Sequence, residues 1–294
     1  MDNIGNRIAS LREQARFTQS VLAEKIGTTQ SAVARMETGN QNISTEMVRK
    51  ISKALNKNLL TGTPGSVNLQ IEGGETLSGT IQTNTSKNGA VGLLCASLLN
   101  TGTTTLRRMP RIEEVYRLIE VLESIDVKIE WEGDLMKITP PKKFDLSKIN
   151  VEAARRTRSI VMFIGPLMHH LKKFSLPQSG GCKLGSRTVR PHFYALEHFG
   201  VNIETTEDAF EVTASPVCPS EIILYESGDT VTENALFAAA LSPCTTTIKN
   251  CSANYMVQEK CAFLIACGVK IEGVGTTTLT ITGIPELALD IEYT

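Results

Sequence analysis

Three stretches of the sequence join cations, a thiol and glycines at spacings that suit chemistry on anionic substrates. The first is Ser86-Lys87-Asn88-Gly89-Ala90 at the start of an apolar helical pattern, where a lysine beside the free amides of a helix N-terminus suits an anion. The second is Leu176-Pro177-Gln178-Ser179-Gly180-Gly181-Cys182-Lys183-Leu184-Gly185-Ser186-Arg187, a strand pattern running into a glycine-rich loop. Its two adjacent glycines give hinge freedom, and the cations at 183 and 187 favour the thiolate of Cys182, a candidate general acid or nucleophile. The third is Arg155-Arg156-Thr157-Arg158, which opens a helical pattern with guanidinium groups suited to phosphate. Each stretch alone also fits a solvated helix start or an idle loop thiol. Their combination points to an active site.

The elements that must hold these groups come in a threefold repeat. Ile125-Asp126-Val127-Lys128-Ile129-Glu130, Phe199-Gly200-Val201-Asn202-Ile203-Glu204 and Cys267-Gly268-Val269-Lys270-Ile271-Glu272 share one shape, at steps of 74 and 68 residues. Each copy follows an amphipathic helix and precedes a second strand. Unit one reads as helix 87–99, strand 103–106, helix 112–124 and hairpin 127–138. Unit two reads as helix 153–171, strand 173–176, helix 192–199 and hairpin 201–212. Unit three reads as helix 232–241, strand 245–248, helix 256–267 and hairpin 269–281.

Before Thr61-Gly62-Thr63-Pro64-Gly65 the periodicity is helical throughout. A first helix over 4–16 sets Ile4, Ile8 and Leu11 on one face. Thr18 caps a short helix that Gly27 stops, and after a three-residue turn a second short helix begins at Gln30, with Val33 and Met36 on its inner side. Thr38-Gly39 end it, and a final helix covers 45–55. This is helix-turn-helix spacing. Gln30, Ser31 and Arg35 face outward, where base edges of a major groove would lie, and Gln19 stands where it could hold a phosphate. The stretch resembles the repressors with a Cro-type helix-turn-helix, which implies DNA as the partner of residues 1–60 and a homodimer as a usual state. A small helical bundle used for protein contact is the other reading of the same pattern.

Charge follows this division. The chain of 294 residues carries a net charge of −1, but residues 1–60 hold nine Lys/Arg against five Asp/Glu and the remainder 21 against 26. The amino-terminal part is therefore the one suited to a polyanion. No apolar run spans a bilayer and the first residues lack a signal-peptide pattern, so a cytoplasmic protein without membrane contact is expected. Seven cysteines without a Cys-x-x-Cys pair indicate neither a disulfide framework nor a zinc site.

Ser86-Lys87-Asn88-Gly89-Ala90, Thr157-Arg158-Ser159 with Gly165-Pro166-Leu167, Leu176-Pro177 with Gly180-Gly181-Cys182 and Gly185-Ser186-Arg187, and His192 with Ala195-Leu196-Glu197 together resemble the UDP-N-acetylglucosamine enolpyruvyl transferases. That family builds its domains from βαβαββ units. The resemblance implies transfer of enolpyruvyl from phosphoenolpyruvate to the sugar 3-hydroxyl, the first committed step of peptidoglycan synthesis, with no metal or other cofactor. It implies that Lys87 binds phosphoenolpyruvate, that Asn88 helps place UDP-N-acetylglucosamine, that Cys182 protonates the enolpyruvyl carbon, and that Arg158 and Arg187 hold phosphate and diphosphate groups.

The pattern departs from the family at two places. Thr188-Val189-Arg190-Pro191 puts a cation where the family has an acid on the uracil side, and Glu226-Ser227-Gly228-Asp229-Thr230 puts carboxylates where the family has a lysine-containing diphosphate turn. The expected fold is an all-α helix-turn-helix domain followed by an α/β (α+β) domain of three βαβαββ-type units, with a second transferase domain largely missing. The expected layout is 1–60 for DNA binding, 61–66 as linker, 67–78 as a segment crossing to the missing domain, 79–285 as the threefold domain, and 286–294 as the start of a return without a partner sheet. The missing half would carry the family's general-base aspartate and further arginines. The expectation is therefore an enzyme fragment fused to a regulator, inactive alone; the alternative is a transcriptional regulator whose transferase-like domain senses a ligand.

Overall fold

The structure, a computed structural model, describes residues 4–41, 43–55, 76, 78–81, 83, 85–178 and 188–294. The expected linker, most of the crossing segment, Cys182 and Arg187 lie outside these residues. The chain divides into two compact units, Met1–Gln82 and Thr83–Thr294.

Among the described residues the first unit holds four helices: α1 (Ile4–Gln14), α2 (Gln19–Ile26), α3 (Gln30–Glu37) and α4 (Thr45–Leu55). Thr18 caps α2 by accepting from the Val21 N–H, and Gly27 ends it at φ 71°, a left-handed conformation that costs glycine little. Thr29 caps α3 in the same way through the Ala32 N–H. Ile8, Leu22, Val33, Met36 and Ile51 form the centre of its core. The inner face of α1 is turned from the expected Ile4-Ile8-Leu11 line: Ile4 is exposed, and Gly5, Ile8 and Arg12 are buried. The cause is an ion pair, since Arg12 Nε donates to Glu37 Oε1 at 2.6 Å beneath the surface.

The second unit opens with α5 (Lys87–Ala96), β1 (Thr104–Arg107), α6 (Glu113–Ser124), β2 (Lys128–Glu132) and β3 (Leu135–Thr139). Next come α7 (Val151–Arg155), a 3-10 run Arg158–Phe163, α8 (Ile164–Leu167), β4 (Lys173–Pro177), α9 (Arg190–Glu197), β5 (Val201–Thr205) and β6 (Ala209–Ala214). The last part is β7 (Glu221–Ile223), α10 (Asp229–Ala240), β8 (Thr245–Lys249), α11 (Tyr255–Ala266), β9 (Lys270–Glu272), β10 (Thr278–Thr282) and β11 (Ile291–Tyr293).

These strands form three sheets around one helical core, ordered β11-β1-β3-β2, β4-β6-β5 and β7-β8-β10-β9. In each unit the first strand and the hairpin pair antiparallel, as in Thr104 opposite Ile138 and Thr245 opposite Thr282. Among the described residues two of the sheets have a fourth strand, which comes from elsewhere. β7 follows the hairpin of unit two but lies parallel on β8 of unit three, and β11 follows the hairpin of unit three but lies parallel on β1 of unit one.

Three expectations are corrected. Residues 286–294 do have a partner sheet: Thr104 lies opposite Ile291, the Ile291 N–H donates to Thr103 O, and Leu287 is buried. The helix expected over 153–171 is broken, because Asn150 caps α7 through the Ala153 N–H and Thr157, with extended backbone, caps a new start through the Ser159 N–H. Such local side-chain bonds compete with a continuous helix. Cys218 and Cys244 form a disulfide, with Cα atoms 6.0 Å apart, against the absence of a disulfide framework read from spacing. Their 26-residue separation carries no motif, and the fold brings them together.

The core is lined by Leu94, Leu98, Phe163, Phe199, Phe237 and Phe263, all under 2% exposed. Among them lies a charged side chain, Lys260, 0% exposed, with Glu259 Oε2 at 3.1 Å and Glu233 Oε1 at 3.8 Å. Gly92 of α5 makes room for it: a Cβ there would stand 2.1 Å from Lys260 Cε.

Candidate functional site

In the second unit the starts of six helical segments meet at one end, joined by a closed circuit of side-chain contacts. Ser86, which caps α5 through the Gly89 N–H, has its Oγ 3.3 Å from the hydroxyl of Tyr255, the first residue of α11. Asn254, next to Tyr255, donates to Asp229 Oδ2 at 3.2 Å at the start of α10. Thr230 Oγ1 lies 3.3 Å from His192 Nε2 in the first turn of α9. Just before α9, Thr188 O accepts from Arg158 at 2.8 Å, at the start of the 3-10 run. Thr157 donates to Glu114 Oε1 at 2.8 Å in the first turn of α6, and Glu114 Oε2 lies 3.5 Å from Lys87 Nζ, back at α5.

A helix start favours a negative group, and two of these starts already hold one of their own, Glu114 at α6 and Asp229 at α10. Two of the cations singled out in the sequence stand in this circuit. Lys87 is half-exposed and its weak contact with Glu114 leaves the ammonium open to a stronger anion. Arg158 ties the 3-10 run to the loop before α9. Asn88 is exposed beside Lys87. The neighbouring arginines are engaged elsewhere, Arg155 with Asp208 and Arg156 with Glu152. Cys182 and Arg187 lie outside the described residues, between Gln178, which follows β4, and Thr188, which accepts from Arg158.

His192 is buried and hydrogen-bonded at both ring nitrogens, to Thr230 and to Asn234. Burial first, then the positive charge of Arg158, pushes it down to about 3, so it is a neutral spacer under the circuit. Of the two departures noted in the sequence, the one at 188–191 opens α9 beside Arg158, and the one at 226–230 opens α10. Asp229 accepts from Ser252 Oγ and from Asn254, so the start of α10 already holds a carboxylate of its own, and Glu226 is exposed two residues before Gly228. The circuit thus has a cationic side, Lys87 and Arg158, and an acidic side, Asp229 and Glu226.

Glu114, Tyr255 and Asn254 were missed in the sequence, and Thr157 and Ser159 were read only as parts of the motif around Arg158. Their roles come from contacts across 25 to 169 residues, such as Asn254 with Asp229, Thr157 with Glu114 and Ser86 with Tyr255, for which a single sequence carries no spacing signal.

In the first unit the outward residues of α3 are connected. Gln30 Nε2 donates to Gln19 Oε1 at 2.7 Å, and Gln19 Nε2 donates to Glu37 Oε2 at 2.9 Å, so the buried Arg12-Glu37 pair fixes the two glutamines. Ser31 Oγ rests 3.1 Å from Thr29 Oγ1, and Arg35 Nε donates to Gln41. This presents amide and guanidinium groups in set orientations on one side of a helix of groove-reading size.

Comparison with known proteins agrees with both halves. Residues 71–293 match the family model of EPSP synthase (3-phosphoshikimate 1-carboxyvinyltransferase), and residues 8–61 match a helix-turn-helix family model. Residues of the chain are 36% identical over 218 positions to the UDP-N-acetylglucosamine 1-carboxyvinyltransferase of Treponema denticola, covering 74% of this chain and 51% of that protein. The enzyme of the same name from Bradyrhizobium diazoefficiens is 34% identical over 213 positions, 72% of this chain and 49% of its own length. Among solved structures, the enolpyruvyl transferase NikO from Streptomyces tendae superposes with a TM-score of 0.63 at 20% identity, covering 76% of this chain and 53% of that one. EPSP synthase from Acinetobacter baumannii superposes with a TM-score of 0.56 at 15% identity, over 73% of this chain and 49% of that one. The chain spans about half the length of the curated relatives it matches.

Proposed function

The chain belongs to the EPSP synthase family of enolpyruvyl transferases over residues 71–293 and carries a helix-turn-helix domain before them, and from that premise we propose that it supplies one half of an enolpyruvyl transfer site acting on phosphoenolpyruvate and UDP-N-acetylglucosamine, joined to a DNA-binding arm. The observation that carries this reading is the convergence of helix starts around Lys87 and Arg158 in a chain 36% identical to a UDP-N-acetylglucosamine 1-carboxyvinyltransferase.

In this reading Lys87 holds phosphoenolpyruvate, Arg158 and Arg187 hold phosphate and diphosphate groups, and Asn88 helps to place the sugar. The Cys182 thiol gives a proton to the methylene carbon of phosphoenolpyruvate while the sugar 3-hydroxyl oxygen bonds to the adjacent carbon and gives its own proton to a general base, which the resemblance assigns to an aspartate of the family's other domain. The resulting tetrahedral ketal then expels inorganic phosphate as a methyl proton departs, leaving the enolpyruvyl ether. Cations around the reacting group favour the charge that develops on it. The DNA-binding part uses Gln19, Gln30, Ser31 and Arg35, and a homodimer would present two such arms to two half-sites.

Phosphate release from phosphoenolpyruvate plus UDP-N-acetylglucosamine, measured on the longest form of the protein, is expected to disappear in Cys182→Ser and in Lys87→Ala. Equal release in the variants and the parent would refute these assignments.

A second reading is favoured by Asp229, whose carboxylate already occupies the start of α10 with Ser252 and Asn254 as partners. That carboxylate disfavours a diphosphate on the same arc. The transferase-like unit would then be a ligand sensor for the DNA-binding arm, binding phosphoenolpyruvate without turnover.

A further inference from the structure

Glu114 holds a place in the circuit that the transfer chemistry above does not use. Its two carboxylate oxygens serve different segments of the chain. Oε2 lies 3.5 Å from Lys87 Nζ on α5, while Oε1 accepts from Thr157 Oγ1 at 2.8 Å and from Ser159 Oγ at 3.1 Å. Thr157 is 1% exposed, and its Oγ1 also accepts from the Ser159 N–H at 3.2 Å. The residues on both sides of Arg158 are therefore fastened to the same carboxylate that faces Lys87. The fastening begins from an ordered base, because Glu114 sits in the first turn of α6, where the helix dipole favours a negative side chain.

We infer that Glu114 is a positioning residue for anion binding: it sets the spacing between Lys87 and Arg158, two cations carried by separate repeats, and hands Lys87 over to the incoming anion. The inference rests on the proposed function for the nature of that anion, a phosphate ester. The geometry favours this role over simple stabilisation. A half-exposed pair at 3.5 Å adds little to folding, whereas a carboxylate gripping two hydroxyls through one oxygen is a stiff link whose loss frees a turn without opening the core. Lys87 keeps a weak partner, so a phosphate dianion meets a held but replaceable ammonium.

The test uses the full chain, with inorganic phosphate and phosphoenolpyruvate as separate probes in titration calorimetry. Glu114→Gln is expected to weaken phosphate binding about tenfold with the melting temperature unchanged, and Ser159→Ala, which removes one of the two gripped hydroxyls, about threefold. In a Lys87→Ala background, Glu114→Gln is expected to add less than a twofold loss, because the two residues act through one geometry. The inference is overturned by wild-type phosphate affinity in Glu114→Gln, by the same tenfold loss with and without Lys87, or by absence of phosphate binding in the parent chain. Binding of phosphate that depends on both residues, without binding of phosphoenolpyruvate, would support this inference and refute the proposed function.

Discussion

Burial pushes Glu233 up to about 7, with Lys260 pulling the other way and Asp229 and Glu259 reinforcing the rise. A folded-state value above the ordinary 4.5 means that the native protein binds this proton more tightly than the unfolded chain. Its contribution to stability is full below pH 4.5 and is lost as pH climbs to about 7. The buried histidines do the reverse. His169 is lowered to about 4 and His192 to about 3, both chiefly by burial, and His170 is lowered for the same reason. Their contribution is present above pH 6.5 and is lost on acidification, so Glu233 partly offsets an acid loss caused by three histidines. The melting temperature of Glu233→Gln is therefore expected to fall more steeply than that of the parent between pH 6.5 and 4.5; parallel profiles would contradict the assignment. In the sequence, Lys87 and Arg158 could be picked out because each opens a segment with recognisable capping. Glu233 and Lys260 could not, since each stands among polar neighbours, Thr232 and Asn234 or Gln258 and Glu259, and its pairing partner is 27 positions away.

The elements that the sequence missed share a physical cause. β7 and β11 have three residues each, too short for apolar alternation to register, and both are defined by a partner strand from another unit. The long helix assumed over 153–171 failed because Ile160 to Leu167 is buried on every side, and a continuous apolar run has no periodicity to distinguish a 3-10 stretch from a helix. The hairpins, by contrast, were visible as a repeated sequence shape and appear at Lys128–Glu132, Val201–Thr205 and Lys270–Glu272. β11 is held at its approach by Asn100, which is 0% exposed and both donates to Leu289 O at 2.7 Å and accepts from the Leu289 N–H at 3.1 Å. Asn100→Ala leaves those backbone groups without this partner and is expected to cost about 1–3 kcal/mol in urea denaturation, with faster amide exchange at Ile291. Unchanged exchange there would show that β11 is anchored by other contacts.

At the scale of the whole molecule, the two compact units have separate cores, one around Ile8, Leu22 and Met36 and one around Phe163, Phe237 and Phe263. Separate cores imply separable responses. Operator DNA is expected to raise the unfolding temperature of the helical unit, and Arg35→Ala is expected to abolish both that rise and a gel shift while leaving the unfolding of the larger unit unaltered. Retention of DNA binding by the variant would place the reading face elsewhere on α3.

The larger unit is wired as a loop: the last strand described completes the first sheet, with Ile291 set beside Thr104. On the ribosome, this order means that β1, β2 and β3 emerge early with an unfilled edge on β1, and residues 140–290 must follow before its neighbour is made. An exposed strand edge invites foreign pairing while it waits. The edge of β1 that β11 covers is thus the part of the first sheet left open longest during synthesis.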